Sequence, residues 1–332
     1  MIDLTTQYLG YTLKNPLIAS ASPLTKELGS IKKLEDHGIG AVVMHSLFEE
    51  QINHEQHQLD HFLHNSSHSY AEALDYLPSD IDFTNIEADD YLEEIRRIKE
   101  SVDIPIIASL NGVSSGGWIK YGRKLQEAGA DALELNITYI PTSLSLDSSQ
   151  VEELYLKTIR DLKEHISIPL NLKMNPYFSA PAHMAKKFVE AGVRGLTLFD
   201  NPVEVDIDLE KLIPLHKANI TSSKDKSETL RWCAILYNKL EVDICANTGI
   251  HNGLDLLKAL MSGADVCSFT SVLLKKGEQE IEHILKEMLT WMEEKEYSST
   301  DQMRGSISLA HTSNPDVYER NSYIGALQSF QR

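Results

Sequence analysis

The chain has 332 residues, 42 % of them hydrophobic, and its 49 acidic against 31 basic side chains give a formal net charge of −18. That length and apolar content allow one large α/β barrel or two ordinary domains, each with a real core, and exclude wholesale disorder. The acidic balance excludes the basic patches that a nucleic-acid or anionic-membrane partner needs, yet leaves room for a phosphate held by a few backbone amides and one Lys.

The N-terminal stretch MIDLTTQYLGYTLKNP has neither a basic region nor an apolar run, so no secretory leader is expected. No segment approaches the roughly 18 apolar residues of a membrane span. A first strand is expected in NPLIASAS (15–22), then a helix near 28–37 and a strand in HGIGAVVMHS (37–46). Residues 47–90 exceed a normal connection and are expected to form a lid or edge over the active face. After a helix near 91–101 come the strand VDIPIIASL (102–110), a helix near 118–128 and the strand AGADALELN (128–136). The pattern continues with a helix near 150–165, ISIPLNLKM (166–174), a helix near 181–191 and AGVRGLTLF (191–199). It closes with helices near 226–238, 253–262 and 277–295, interleaved with VDICANTG (242–249) and SGADVCSFT (262–270). Residues 296–332 follow as a tail in which Tyr318, Tyr323, Ile324 and Leu327 suit docking on the body or on a partner subunit.

Four of these strands follow a helix that ends on Gly, which suits the left-handed C-cap, and their runs are apolar enough for burial on both faces. Strand then helix, eight times over, is the pattern of a (β/α)8 barrel, here expected as a single domain over residues 1–332. A doubly wound open sheet is disfavoured, because no G-x-G-x-x-G follows the first strand. Cys233, Cys245 and Cys267 are widely spaced without a C-x-x-C pair. They offer no disulfide framework, iron–sulfur site or zinc site and fit a reducing, cytoplasmic setting.

In such a barrel the catalytic face lies at the C-terminal strand ends. In order these carry Ala19, Ser20 and Ala21; His45 and Ser46; Ser109 and Asn111; Asn136; Lys173 and Asn175; Asp200 and Asn201; Thr248 and Gly249; and Thr270 and Ser271. A polar ring fed by apolar strands marks a site. Lys173 places an ammonium in the mouth, where burial demands a partner. It suits stabilisation of a reduced flavin, a Schiff-base lysine of the aldolase type, or a structural ion pair with a barrel carboxylate such as Glu134. Thr248-Gly249 and Thr270-Ser271 follow the seventh and eighth strands, where barrels bind phosphate. His54, His57, His61, His64 and His68 would line one helical stripe, but no carboxylate or cysteine completes a metal motif, and no metal is expected.

NPLIASAS, ASLNG, ELN, LKMNPYF and TGI-x-NG together resemble the dihydroorotate dehydrogenase family over roughly residues 3–295. SLFEEQI, ASLNGVSSGGW, ELNITYIPT and QMRGS are similar to a bacterial branch of dihydroorotate dehydrogenase-like proteins. The chain also resembles the flavin barrel of dihydropyrimidine dehydrogenases. The resemblance implies an FMN-binding barrel of pyrimidine metabolism, a homodimer, that oxidises a CH–CH bond by passing hydride to flavin N5. It further implies flavin contacts from Ala19, Ser20, Ala21 and Ser46, with Asn111 and Asn136 touching flavin or substrate. Lys173 would lie by the flavin N1–O2 edge, and Gly249, Thr270 and Ser271, with Thr248 beside them, would hold the phosphate. Asn136, Asn175, Asp200 and Asn201 would face the substrate.

Departures cluster on the substrate side. His45 replaces a lysine, Tyr139 a cysteine or serine base, Pro141 an asparagine, and Asp200-Asn201 an Asn-Ser pair. An ordinary Tyr has a pKa of about 10 against about 8.5 for Cys, so Tyr139 is the less available base at neutral pH, with His45 its rival. Orotate is a carboxylate, and Asp200 would repel it. The expectation is an FMN-dependent oxidoreductase acting on a dihydropyrimidine-like small molecule, its electrons passing to an external acceptor or reductase subunit. The alternatives are a lysine-dependent aldolase-type lyase using Lys173 and a flavin-binding subunit without dihydroorotate turnover.

Overall fold

The computed structural model describes residues 2–52, 88–113, 116–200, 203–218, 220–320 and 327–328. The four helix–Gly–strand junctions form as the sequence predicts: Gly38, Gly129, Gly192 and Gly263 take φ of 99°, 101°, 104° and 126°. A Cβ is disfavoured there, and the left-handed residue turns each helix directly into the next strand.

A short hairpin of β1 (Thr6–Tyr8) and β2 (Tyr11–Leu13) precedes the barrel. The first half of the barrel contains β3 (Leu17–Ala19), α1 (Leu28–Asp36), β4 (Ala41–Phe48), α2 (Ala88–Lys99), β5 (Ile106–Asn111), α3 (Tyr121–Glu127) and β6 (Ala132–Asn136). There follow α4 (Ser148–Lys163), β7 (Leu170–Met174), α5 (Pro181–Glu190) and β8 (Gly195–Leu198). A second hairpin, β9 (Val203–Asp208) and β10 (Ile213–Ala218), comes before α6 (Ser227–Leu236) and β11 (Asp243–Ala246). The barrel ends with α7 (Gly253–Ser262), β12 (Val266–Phe269), α8 (Ser271–Lys276) and α9 (Glu280–Glu294). Strands β3, β4, β5, β6, β7, β8, β11 and β12 pair in that order, all parallel, and close on themselves as a (β/α)8 barrel.

Strand alternation sorts side chains into two layers. Ala108, Leu133 and Leu172 point outward into the large cluster shared with the helices. Ile18, Val43, Ile107, Ala132 and Val266 point inward with Tyr8, Leu9 and Leu13 of the first hairpin, which plugs the N-terminal end. Gly195 makes room for that plug, because a Cβ there would come within 2.7 Å of Leu9 Cδ2. The repeated Gly-Ala-Asp also has a physical role. Asp131 accepts the first amide of β5, Ile106 N–H, and Asp265 the second amide of β11, Ile244 N–H, both at 2.7 Å.

β4 is irregular: its register with β5 shifts between Val43 and Ser46. Tyr91 of α2 fills the gap, its hydroxyl donating to His45 O at 2.8 Å and accepting from Ser109 N–H at 3.2 Å. The β9–β10 hairpin was not among the expected elements, and Val205, Ile207, Leu209 and Leu212 stand exposed on it. The five histidines of the 47–90 insertion lie outside the described residues, as do Tyr323 and Ile324 of the tail. Residues 296–320 run along α6 and α7, with Gly305 N–H, Ile307 N–H and Leu309 N–H donating to Leu260 O, Met261 O and Ala234 O. Among the described residues no helix is long and apolar enough to cross a membrane.

Candidate active site

Register brings the polar inward positions into two rows around the barrel. One aligns Ser46, Ser109, Glu134 and Asn171; the next aligns Asn111, Asn136, Lys173 and Thr197. Ser46 Oγ and Ser109 Oγ share a hydrogen bond of 2.9 Å. Glu134, 2 % exposed, has its Oε2 accepting from Asn171 Nδ2 at 2.9 Å and from Thr197 Oγ1 at 3.3 Å. Its Oε1 faces Lys173 Nζ at 3.2 Å. Asp200, just past β8, sets Oδ1 3.9 Å from the same ammonium, while its Oδ2 accepts from Asn136 Nδ2 at 3.0 Å.

Burial by itself would lower the Lys173 pKa, but the Glu134 and Asp200 carboxylates outweigh it and the net displacement is upward. Lys173 therefore stays an ammonium. A Schiff-base lysine needs the opposite shift, toward the free amine. The ion pair with Glu134 expected as one option is present, and it leaves the ammonium at the floor of the mouth.

Above that floor lies a cavity of about 270 Å³ at the C-terminal strand ends. Ser20, Ala21, Lys173, Asp200, Thr248, Gly249, Thr270 and Ser271 are among the residues that line it. Gly249 has φ of 80°, and a Cβ there would fall 2.2 Å from Lys226 N, so only glycine lets this loop pack beside the cavity. Thr221 N–H donates to Ser271 Oγ at 3.1 Å, and Lys275 Nζ donates to Thr221 O at 2.7 Å. Lys226 is committed to the buried Asp255 at 2.9 Å.

Other expected site residues are placed elsewhere. Ala19 points into the helix-facing layer, leaving only its backbone toward the mouth. His45 is turned outward by the β4 irregularity, correcting its expected place in the mouth. Its ring meets Tyr91 edge-on at 4.8 Å and lines a different cavity, of about 380 Å³, beside Lys26 and Glu94. Burial there, with Lys26 nearby, lowers its pKa to about 4. Tyr139, on the loop after β6, packs against the outer apolar cluster rather than lining the 270 Å³ cavity. Asn175 closes its own turn, Oδ1 accepting from Tyr177 N–H at 2.8 Å. Asn111 is half-buried at the end of β5, and Asn201 lies outside the described residues.

Sequence reasoning passed over Asn247, Ser268, Asn171 and Thr221. Asn247 lines the cavity, donating from Nδ2 to Phe199 O and accepting at Oδ1 from Ser268 Oγ, both at 2.8 Å. Two-residue alternation from Cys245 would have placed Asn247 inward. Cys245 itself is buried in the barrel, where desolvation pushes its thiol up to about 11, so it is no base at neutral pH.

An ammonium-floored cavity at the C-terminal mouth of a closed parallel barrel defines a (β/α)8 enzyme for a small ligand. The family model described as dihydroorotate dehydrogenase matches residues 3–292, and the chain belongs to that family. It is 25 % identical over 92 % of its length to the dihydroorotate dehydrogenase B (NAD(+)) catalytic subunit of Thermoplasma acidophilum, of which it covers 99 %. The NAD-dependent dihydropyrimidine dehydrogenase subunit PreA of Escherichia coli is 25 % identical over 91 % of the chain and 76 % of the relative. The dihydroorotate dehydrogenase (fumarate) of Saccharomyces cerevisiae is 27 % identical over 92 % and 98 %. Family and relatives together make the chain one of the oxidoreductases.

Proposed function

We propose that the chain is an FMN-dependent oxidoreductase acting on a dihydropyrimidine-like substrate. The observation that carries this reading is Lys173, held as an ammonium under the mouth by Glu134 and Asp200. The cavity residues fit the cofactor: small side chains and backbone at Ser20 and Ala21 leave space for a ring. Gly249 lets its loop pack against Lys226 beside the cavity, and the hydroxyls of Thr270 and Ser271 suit a phosphate. When bound, FMN supplies a hydride acceptor at N5 and gathers negative charge near N1 and O2 on reduction.

With FMN in this cavity, Lys173 would supply the positive charge that offsets it, in a buried setting where the interaction is strong. Glu134, fixed by Asn171 and Thr197, holds the ammonium in place and keeps it protonated. Asn136 orients Asp200 at the substrate side. Tyr139, three residues beyond Asn136, remains the acid/base candidate, to be presented from its loop. The lyase alternative is weakened by the upward pKa of Lys173. Electrons leave to an external acceptor or a reductase subunit, in keeping with the NAD- and fumarate-linked names of the relatives. A homodimer in the cytoplasm belongs to the same proposal.

Anaerobic titration of the FMN-loaded protein with dihydrouracil and dihydroorotate tests the reading. Bleaching of the flavin band by either supports it. A flavin that binds but is reduced by no dihydropyrimidine points instead to a flavin-binding subunit, and trapping of Lys173 by borohydride with a carbonyl compound points to the lyase.

A further inference from the structure

The mouth holds two groups suited to gripping a ligand carboxylate, the Lys173 ammonium and the Asn136 amide, and this chain's own acids engage both. Asp200 Oδ2 takes the Asn136 amide at 3.0 Å, and Lys173 lies between Glu134 at 3.2 Å and Asp200 at 3.9 Å. Two carboxylates flank one ammonium, so the cluster carries a formal charge of −1. Of the described residues lining the cavity, only Lys173 and Asp200 are charged, and Asp200 is the acid exposed to it. Glu134 is spent on Asn171, Thr197 and Lys173.

Resting on the flavin reading of this same cavity, we infer that Asp200 sets the charge selectivity of the substrate pocket, admitting uncharged cyclic amides and rejecting rings that carry a carboxylate. A carboxylate is acceptor-only, so beside Asp200 it would meet a like charge, and the one ammonium there already lies between two carboxylates, Glu134 and Asp200. An uncharged cyclic amide offers N–H groups. Asp200 Oδ1, 3.9 Å from the ammonium and beyond hydrogen-bond distance of it, retains the lone pairs to accept one. Exclusion of the wrong charge in this way is a common basis of specificity.

The experiment uses the FMN-loaded, oxidised full chain and follows the flavin absorbance shift on adding uracil, orotate or methyl orotate. Methyl orotate matches orotate in shape and lacks its charge. The expected result is binding of uracil and methyl orotate at least about tenfold tighter than orotate, with Asp200→Asn narrowing the methyl orotate to orotate ratio by about tenfold. Equal affinity for orotate and its ester, a ratio unmoved by Asp200→Asn, or no response to any of the three rings would overturn the inference. If Asp200→Asn fails to fold or to hold FMN, the wild-type ester-to-acid ratio decides alone. Flavin content is measured first: a chain that takes up no FMN defeats the flavin reading itself, whereas a loaded chain that prefers orotate defeats only the role of Asp200.

Discussion

Lys173→Met removes the charge at the centre of the site while nearly keeping side-chain length, so lost packing contributes little. Glu134, 2 % exposed, and Asp200 are then left without their counter-ion. Removing one partner of a buried pair costs about 3–5 kcal/mol. With a urea slope of about 3 kcal/mol per molar, the unfolding midpoint falls by about 1–1.7 M at pH 7. The pH dependence has a definite sign. The folded pKa of Lys173 lies above its ordinary value, so its stabilisation is fully present at neutral pH in the wild type and is lost only as the solution turns strongly alkaline. Adding Glu134→Gln recovers part of the loss, a coupling of about 0.5–3 kcal/mol in a double-mutant cycle. Urea unfolding of the apo-protein at pH 7, followed by circular dichroism, provides the assay. A Lys173→Met midpoint within about 0.2 M of wild type at pH 7 would refute the picture of a buried carboxylate–ammonium–carboxylate chain.

Gly249→Ala forces a Cβ against Lys226 N in a loop with φ of 80°, and FMN affinity should fall at least about tenfold, read by fluorescence titration. His45→Gln should make the protein less acid-sensitive. The folded imidazole titrates near 4 against an ordinary 6.5, so the unfolded chain binds the extra proton and wild-type stability is lost as pH falls through that window. Equal acid midpoints for wild type and variant would contradict the burial of His45. Tyr91→Phe deletes the hydroxyl that bridges His45 O and Ser109 N–H, and thermal unfolding should show a loss of about 1–3 kcal/mol. Tyr139→Phe should leave FMN content unchanged and slow anaerobic flavin reduction by about 10²–10⁴-fold; an unchanged rate would remove Tyr139 from acid/base duty.

The barrel was legible because its signals are local. Gly38, Gly129, Gly192 and Gly263 end helices by backbone geometry alone, and the apolar runs after them are strands of the closed sheet. Lys173 was legible for a related reason: a charge inside an apolar strand requires a partner, and Glu134 supplies it. The orientation of His45 was not, because it depends on a register shift in β4 filled by Tyr91, which comes from a distant helix. Asp200 could be placed near the mouth from its strand, but its capture of the Asn136 amide arises from the closure of β6, β7 and β8. The β9–β10 hairpin did carry a local signal, the strict alternation of Val203-Glu-Val-Asp-Ile-Asp208, but it stands outside the helix–Gly–strand repeat and its apolar residues Val205 and Ile207 are exposed.

The most direct test of the central claim is FMN stoichiometry: the full chain is incubated with excess FMN, freed of unbound cofactor, and the retained flavin is counted per chain after denaturation. The proposed FMN site requires one FMN per chain, with Gly249→Ala retaining much less under the same conditions. A wild-type chain that retains none, or one whose retention is indifferent to Gly249→Ala, would contradict the assignment of this cavity to FMN.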